Sequence, residues 1–175
     1  MTRLLAIDPG NELSAYVVID ADYRPVALGK VPNDELLDAL GMLDLDVLGG
    51  AVPTAFAIEM VASYGMPVGR EVFETCYWIG RFSEAIRAQD FRHPLPELVY
   101  RREVKLNICG SAKAKDGNIR QALVDRFAPG RPNHGKGTKA APGWFYGFSA
   151  DIWQAYALAV THLDHLTRRD ERAPF

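Results

Sequence analysis

Leu4-Leu5-Ala6-Ile7-Asp8-Pro9-Gly10 opens the chain with four apolar residues, one acid and a turn signal. The apolar run has the length and profile of a buried strand, and Pro9-Gly10 ends it. Outward from this stretch, Ala15 to Ile19 is a second apolar run, rich in Val and Ile. Asp20-Ala21-Asp22-Tyr23-Arg24-Pro25 is turn-rich, and Val26 to Val31 reads as a third strand. Three short strands joined by turns predict an antiparallel meander. Asn33 is placed to cap a helix through about Leu40, with Asp34 and Glu35 near its positive end. Gly49-Gly50 and Pro53 break the chain before a fourth strand, Thr54 to Ile58, which ends at Glu59.

Further along, Val72, Cys76, Ile79 and Ile86 recur at helical spacing and predict an amphipathic helix from Val68 to about Ala88. Pro94 and Pro96 interrupt, and Leu98-Val99-Tyr100 reads as a fifth strand. A short helix is expected from Glu103 to Cys109, and a second, capped by Asp116, reaching Phe127. Residues 129–147 are expected to form a mobile basic and aromatic surface loop. A last helix runs from about Ala150 to Arg168, with Ser149 as its cap. Strands first and helices interleaved later, without linker or repeat, predict one α/β domain over residues 1–175.

Composition bounds the class. At 175 residues, 48% hydrophobic and 24% charged, the chain is long enough for one sizeable core. No stretch reaches the roughly 18 apolar residues of a membrane span, and the N-terminal apolar run is too short for a secretory signal. Cys76 and Cys109 form neither a disulfide framework nor a metal-binding pair. A cytoplasmic protein without membrane contact is expected. The net charge is −2, yet between Tyr100 and Lys139 ten basic residues face three acids. That +7 segment offers a polyanion a favourable surface, although an unevenly charged solvated surface looks the same in sequence.

Two motifs compete for chemistry. Gly130-Arg131-Pro132-Asn133-His134-Gly135-Lys136 has phosphate-loop spacing, but residue 137 is Gly where that motif needs a hydroxyl, and a helix rather than a strand precedes it. Three carboxylates at element ends carry more. Asp8 ends the first strand, Glu59 ends the fourth, and Asp151 opens the last helix. Each acid alone could simply meet solvent or favour a helix N-terminus. If the first and fourth strands are neighbours, however, Asp8 and Glu59 converge. Converging carboxylates suit a hard divalent cation, and beside a basic segment they suit phosphodiester hydrolysis.

Ala6-Ile7-Asp8-Pro9-Gly10, Ala57-Ile58-Glu59, Val104-Lys105, Ala150-Asp151 and Ala157 to His162 together resemble the RuvC Holliday-junction resolvases in order and spacing, over most of the chain. The 129–147 loop is more similar to that of phage-type members. The resemblance implies a ribonuclease H-like α/β fold: a central mixed five-stranded sheet with helices on both faces. It also implies a metal-dependent structure-selective endonuclease that resolves four-way junctions by paired nicks, leaving 5′-phosphate and 3′-hydroxyl ends. Asp8, Glu59 and Asp151 match the family's catalytic metal ligands, for two magnesium or manganese ions. Its fourth ligand, an acid or His, falls at Gln154, a neutral donor one helical turn from Asp151.

Lys105 and Lys115 match residues that approach the DNA backbone in that family, and Arg101, Arg102 and Lys113 extend the basic set. Tyr64 is the nearest candidate for the aromatic that enters the junction. A two-fold junction implies a homodimer, and Phe73, Tyr77 and Trp78 are candidates for its interface or for the core. Trp144, Phe145, Tyr146 and Phe148 serve either base stacking or an anchor that returns the loop to the core. His162 is expected to be structural. A broader flap and fork nuclease and a catalytically weak DNA-binding module of the same fold are the alternatives, with a two-domain ATP-binding relative disfavoured by length.

Overall fold

The computed structural model describes residues 3–63, 65–89 and 95–172. Strands β1 (Arg3–Asp8), β2 (Leu13–Asp20) and β3 (Pro25–Pro32) form the antiparallel meander, and β4 (Ala55–Met60) and β5 (Glu97–Tyr100) join parallel to β1. The sheet order is β3-β2-β1-β4-β5. Helices α1 (Asn33–Met42) and α2 (Arg70–Gln89) cover one face, while α3 (Arg101–Cys109), α4 (Asp116–Phe127) and α5 (Ala150–Arg172) cover the other.

Strand alternation decides which residues face which layer. Leu5, Ile7, Tyr16, Val18, Phe56 and Ile58 pack with Leu36 and Leu40 of α1 and Ile79, Phe82 and Ile86 of α2. Their neighbours Leu4, Ala6, Ala15, Val17, Ala57 and Val99 pack against Val104, Ile119, Leu123 and the buried stripe of α5. Facing alanines let α5 lie close to the sheet. Among the described residues, no helix is long and apolar enough to cross a membrane.

Two expected helix caps differ from those observed. Pro32 is the N-cap of α1, and Asn33 is the first helical residue, buried instead of exposed. Its side chain accepts from the Ser14 hydroxyl at 2.6 Å and donates to the Gly10 carbonyl at 2.9 Å, tying the turn after β1 to β2. At α4 the N-cap is Lys115, whose N–H reaches the Asn118 amide oxygen at 2.9 Å. Asp116, expected as the cap, is the next residue and bonds elsewhere.

Residues 129–147, expected as a mobile loop, carry their own turns. A short 3-10 turn spans Asn133–Gly135, and Gly137 bridges Pro142. Phe145 and Phe148 are buried against Trp153 with ring centroids 4.5 and 4.9 Å away. The aromatic run is therefore an anchor to the core at these two positions. Trp144 stacks on Phe127 at 5.3 Å and donates its indole N–H to the Tyr156 hydroxyl at 2.9 Å. Tyr156 in turn donates to the Tyr23 carbonyl.

A buried carboxylate holds the other end of this layer. Asp164 on α5 accepts bonds from Tyr23, from Asn107 of α3 and twice from Arg126 of α4, all at 2.8–2.9 Å. Burial opposes the charge, but the Arg126, Asn107 and Tyr23 hydrogen bonds more than offset it and hold the Asp164 carboxyl below its ordinary range. Asp164→Asn is expected to destabilise the fold by about 2 kcal/mol at neutral pH, the scale for lost hydrogen bonds to a charged group, since Arg126 itself stays partly exposed. A depressed folded pKa contributes stability above the unfolded pKa, about 3.9, and loses it as pH falls through the folded value. Urea unfolding of both proteins should therefore show a gap that is full at pH 7 and closes in acid below about pH 4.

Candidate active site

β-sheet register assembles the site. Asp8 pairs with Ala15, and Ala15 pairs with Lys30, so Asp8 and Lys30 flank β2 in one row. The β1–β4 pairing ends at Ile7 with Ile58, so Asp8 and Glu59 are the next residues of adjacent parallel strands. Both acids follow side chains of the α1–α2 layer, and alternation turns them toward α5, whose first turn carries Asp151. The expected convergence of the first and fourth strands is thus present. The turn after Asp8 is tight: a Cβ on Gly10 would meet the Leu13 carbonyl oxygen at 2.5 Å.

Electrostatics follow from this crowding. Burial, then the neighbouring Glu59 and more weakly Asp151, push the Asp8 carboxyl up to about 8, against the pull of Arg101 and Lys30. Burial also raises the Glu59 carboxyl, despite the Arg101 guanidinium beside it. Two basic side chains compensate. Lys30 forms an ion pair with Asp151. Arg101 donates to Glu59 at 3.2 Å and to Asp116 at 2.7 Å. Glu59 and Arg101 are largely enclosed, their side chains 15% and 23% exposed.

Among the described residues, no three His, Cys, Asp or Glu side chains stand close enough to hold a metal ion as they are. The donor chemistry nonetheless fits a hard cation. Asp8, Glu59 and Asp151 supply carboxylate oxygens, and the positions beside two of them are taken by an ammonium and a guanidinium. Gln154 adds a second sign, because its Oε1 is buried without a hydrogen-bond partner. An open cleft of about 360 Å³ lies over Asp8, Pro9, Gly10, Lys30 and Asp151. A second, of about 250 Å³, lies over Asp116, Arg120, Asp151 and Gln154.

The other expected site residues divide. Lys105 is half-buried and near enough to Glu59 to pull its carboxyl down. Arg102, Lys113 and Lys115 are exposed on the segment from α3 to α4. Arg101, expected on the DNA-facing surface, turns inward to Glu59. Tyr64 lies outside the described residues. Phe73 and Tyr77 are 64% and 61% exposed on α2, whereas Trp78 is partly buried against Phe82 at 5.8 Å. His162 is buried and lies about 16 Å along α5 from Asp151, with burial pushing its imidazole below the ordinary value. Lys30 and Asp116 were not anticipated. Nothing local in sequence marks either, since each acquires its role from a partner more than ten residues away.

No protein-family model matches the chain, and no curated protein does. Solved structures do match. The RuvC structure from Thermus thermophilus aligns with a TM-score of 0.63 at 20% identity, covering 96% of this chain and 97% of that one. T. thermophilus RuvC in complex with Holliday junction substrate aligns with a TM-score of 0.60 at 20% identity, covering 96% of each chain. The chain accordingly has the ribonuclease H-like fold of the RuvC structures, with its mixed five-stranded sheet ordered β3-β2-β1-β4-β5 between two helical layers.

Proposed function

We propose that this chain is a metal-dependent, structure-selective DNA endonuclease of the phage-type RuvC kind, a single nuclease domain that resolves four-way junctions by paired nicks. The observation that carries this reading is the convergence of Asp8 and Glu59 at the ends of β1 and β4, with Asp151 in the first turn of α5 near Asp8, beside the +7 segment. Asp8, Glu59 and Asp151 are the ligands assigned to magnesium or manganese, two ions per site, with Gln154 Oε1 as a weak or water-mediated donor. A bound hard cation screens the carboxylates, lowers the pKa of water and stabilises the leaving oxygen of a phosphodiester.

The protein's own groups do the positioning. Lys30 holds Asp151, and Arg101, itself held by Asp116, holds Glu59, so the two acids stay oriented in a fixed frame. Lys105 sits beside Glu59, and Arg102, Lys113 and Lys115 are assigned to the phosphates flanking the cut. Two nicks related by two-fold symmetry call for a homodimer, and exposed Phe73 and Tyr77 on α2 are the interface assigned to it.

Cleavage of a labelled four-way junction in magnesium, beside duplex, flap and fork substrates, tests the reading. Paired symmetric nicks on the junction are expected from the wild type. Asp8→Asn should lose at least about 100-fold in rate at saturating DNA, on the scale of a lost charged catalytic group. Equal cutting of flaps and forks would transfer the assignment to a general branched-DNA nuclease. Tight junction binding without cutting, in magnesium or manganese, would instead favour a DNA-binding module, a reading that the uncharged Gln154 supports.

Gln154→Asp restores an acid at the fourth position. Manganese affinity, read by calorimetry, should rise about tenfold or more, as expected when a carboxylate replaces a neutral amide. An unchanged manganese isotherm would remove Gln154 from the ligand set.

A further inference from the structure

The 129–147 loop closes over a cavity of about 590 Å³ that the proposed active site does not use. It lies at the C-terminal end of α4, about 16 Å along that helix from Asp116. The polar side chains in its lining are Arg24, Arg131 and Trp144, and the lining contains no acid. We propose that this cavity is a phosphate-binding site, for a phosphate carried either by a DNA backbone or by a free nucleotide. The proposal stands independently of the nuclease reading.

Arg24 is preorganised. Its backbone N–H bonds to the Asp20 carboxylate at 2.9 Å, which fixes the β2–β3 turn. Its guanidinium lies 5.4 Å from the centroid of the Trp144 ring. Trp144 is itself immobilised by Phe127, stacked within 9° of parallel, and by the Tyr156 hydroxyl. A guanidinium held against an indole ring keeps its in-plane N–H donors available for bidentate recognition of a phosphate. Among the described residues, neither Arg24 nor Arg131 has a carboxylate partner, whereas Arg126 is paired with Asp164 and Arg169 with Glu97.

The walls are equally specific. A Cβ on Gly135 would meet the Ala128 Cβ at 2.5 Å, and one on Gly143 would meet the Gly135 carbonyl oxygen at 2.2 Å. Glycine is therefore required for the loop to close as it does. From 129 to 147 the loop carries Arg131, Lys136 and Lys139 and no acid, so its field favours an anion. The volume falls within the usual 300–1,000 Å³ of small-ligand pockets and exceeds what a bare phosphate needs. The phosphate-loop-like spacing from Gly130 to Lys136 thus contributes Arg131 and Gly135 to an anion cavity without a strand before it or a helix after it.

Indole N–H signals of the protein, with Trp144 identified through Trp144→Phe, provide the test. Titrants are inorganic phosphate, deoxyadenosine monophosphate, and a short blunt duplex without terminal phosphates, all in a chelator. A saturable shift of the Trp144 signal with the monophosphate identifies a free phosphomonoester, and one with the duplex identifies the backbone. In either case Arg24→Gln and Arg131→Gln should each weaken binding about tenfold, the scale of a charge-assisted hydrogen bond. In the duplex case the two together should also lower the salt slope by about 2. Both arginines are exposed, and unmoved Trp78 and Trp153 signals in the double variant report an intact fold. No Trp144 shift with any titrant, a shift with inorganic phosphate alone, or a shift that survives the double substitution overturns the proposal.

Discussion

The close approach of α5 to the sheet is the constraint on which the rest of the molecule depends. Ala6 of β1, Ala15 of β2 and Ala57 of β4 are buried in the same cluster as Ala155, Ala157 and Ala159 of α5. Small side chains on the sheet leave room for a helix that would otherwise ride higher. A larger side chain at these positions would lift α5 and move Asp151 away from the ends of β1 and β4. Asp164 secures the same helix farther along through its bonds to Tyr23, Asn107 and Arg126. The spacing of the acids is thus set by packing, not by any attraction among them.

Packing that forces carboxylates together creates an electrostatic cost that the chain offsets locally. Among the described residues, Asp8 has no ion-paired cation, and burial and Glu59 raise its pKa strongly against the more distant pull of Arg101 and Lys30. Glu59 and Asp151 are each matched by one cation, Arg101 and Lys30. Buried or half-buried ion pairs contribute little net stability, because desolvation cancels much of their attraction. Asp116 shares Arg101 with Glu59 through a bond at 2.7 Å. Each crowded acid but Asp8 is thus met by a cation drawn from another element.

How much of this was legible in sequence depended on the range of the interaction involved. Apolar runs between turn residues located the five strands, helical spacing of apolar residues located α2, and start and stop residues placed α1, α4 and α5, because these signals are written into adjacent residues. Asp8 was visible because it ends β1, and Glu59 and Asp151 because each lies one residue from the end of β4 or the start of α5. Asn33 was misread as a helix cap, since nothing nearby shows that its amide belongs to Ser14 and Gly10. Asp116 was misread for the same reason: helix-start chemistry was satisfied by Lys115 and Asn118, leaving the acid for Arg101. Lys30 lies in a strand of otherwise unremarkable polarity, and only the register across β2 brings it to Asp8 and Asp151. Pairings across the sheet are decided by strand order, which local patterning does not encode.

The aromatic run after the basic loop illustrates how one helix can serve two ends of the molecule. Trp153 sits next to the Asp151–Gln154 turn and receives Phe145 and Phe148. One turn on, Tyr156 joins the same cluster and bonds both Trp144 and the β2–β3 turn at Tyr23. Each aromatic pair adds about 0.5–1.5 kcal/mol beyond its buried area, and the pairs share members, so they order together. The loop's return path and the first turns of α5 are therefore parts of one packed unit. Any disturbance of Phe145 or Phe148 that loosens the loop also loosens the helix turn carrying Asp151. The loop that walls the cavity and the helix turn that carries Asp151 are consequently joined by packed aromatic contacts on a single helix.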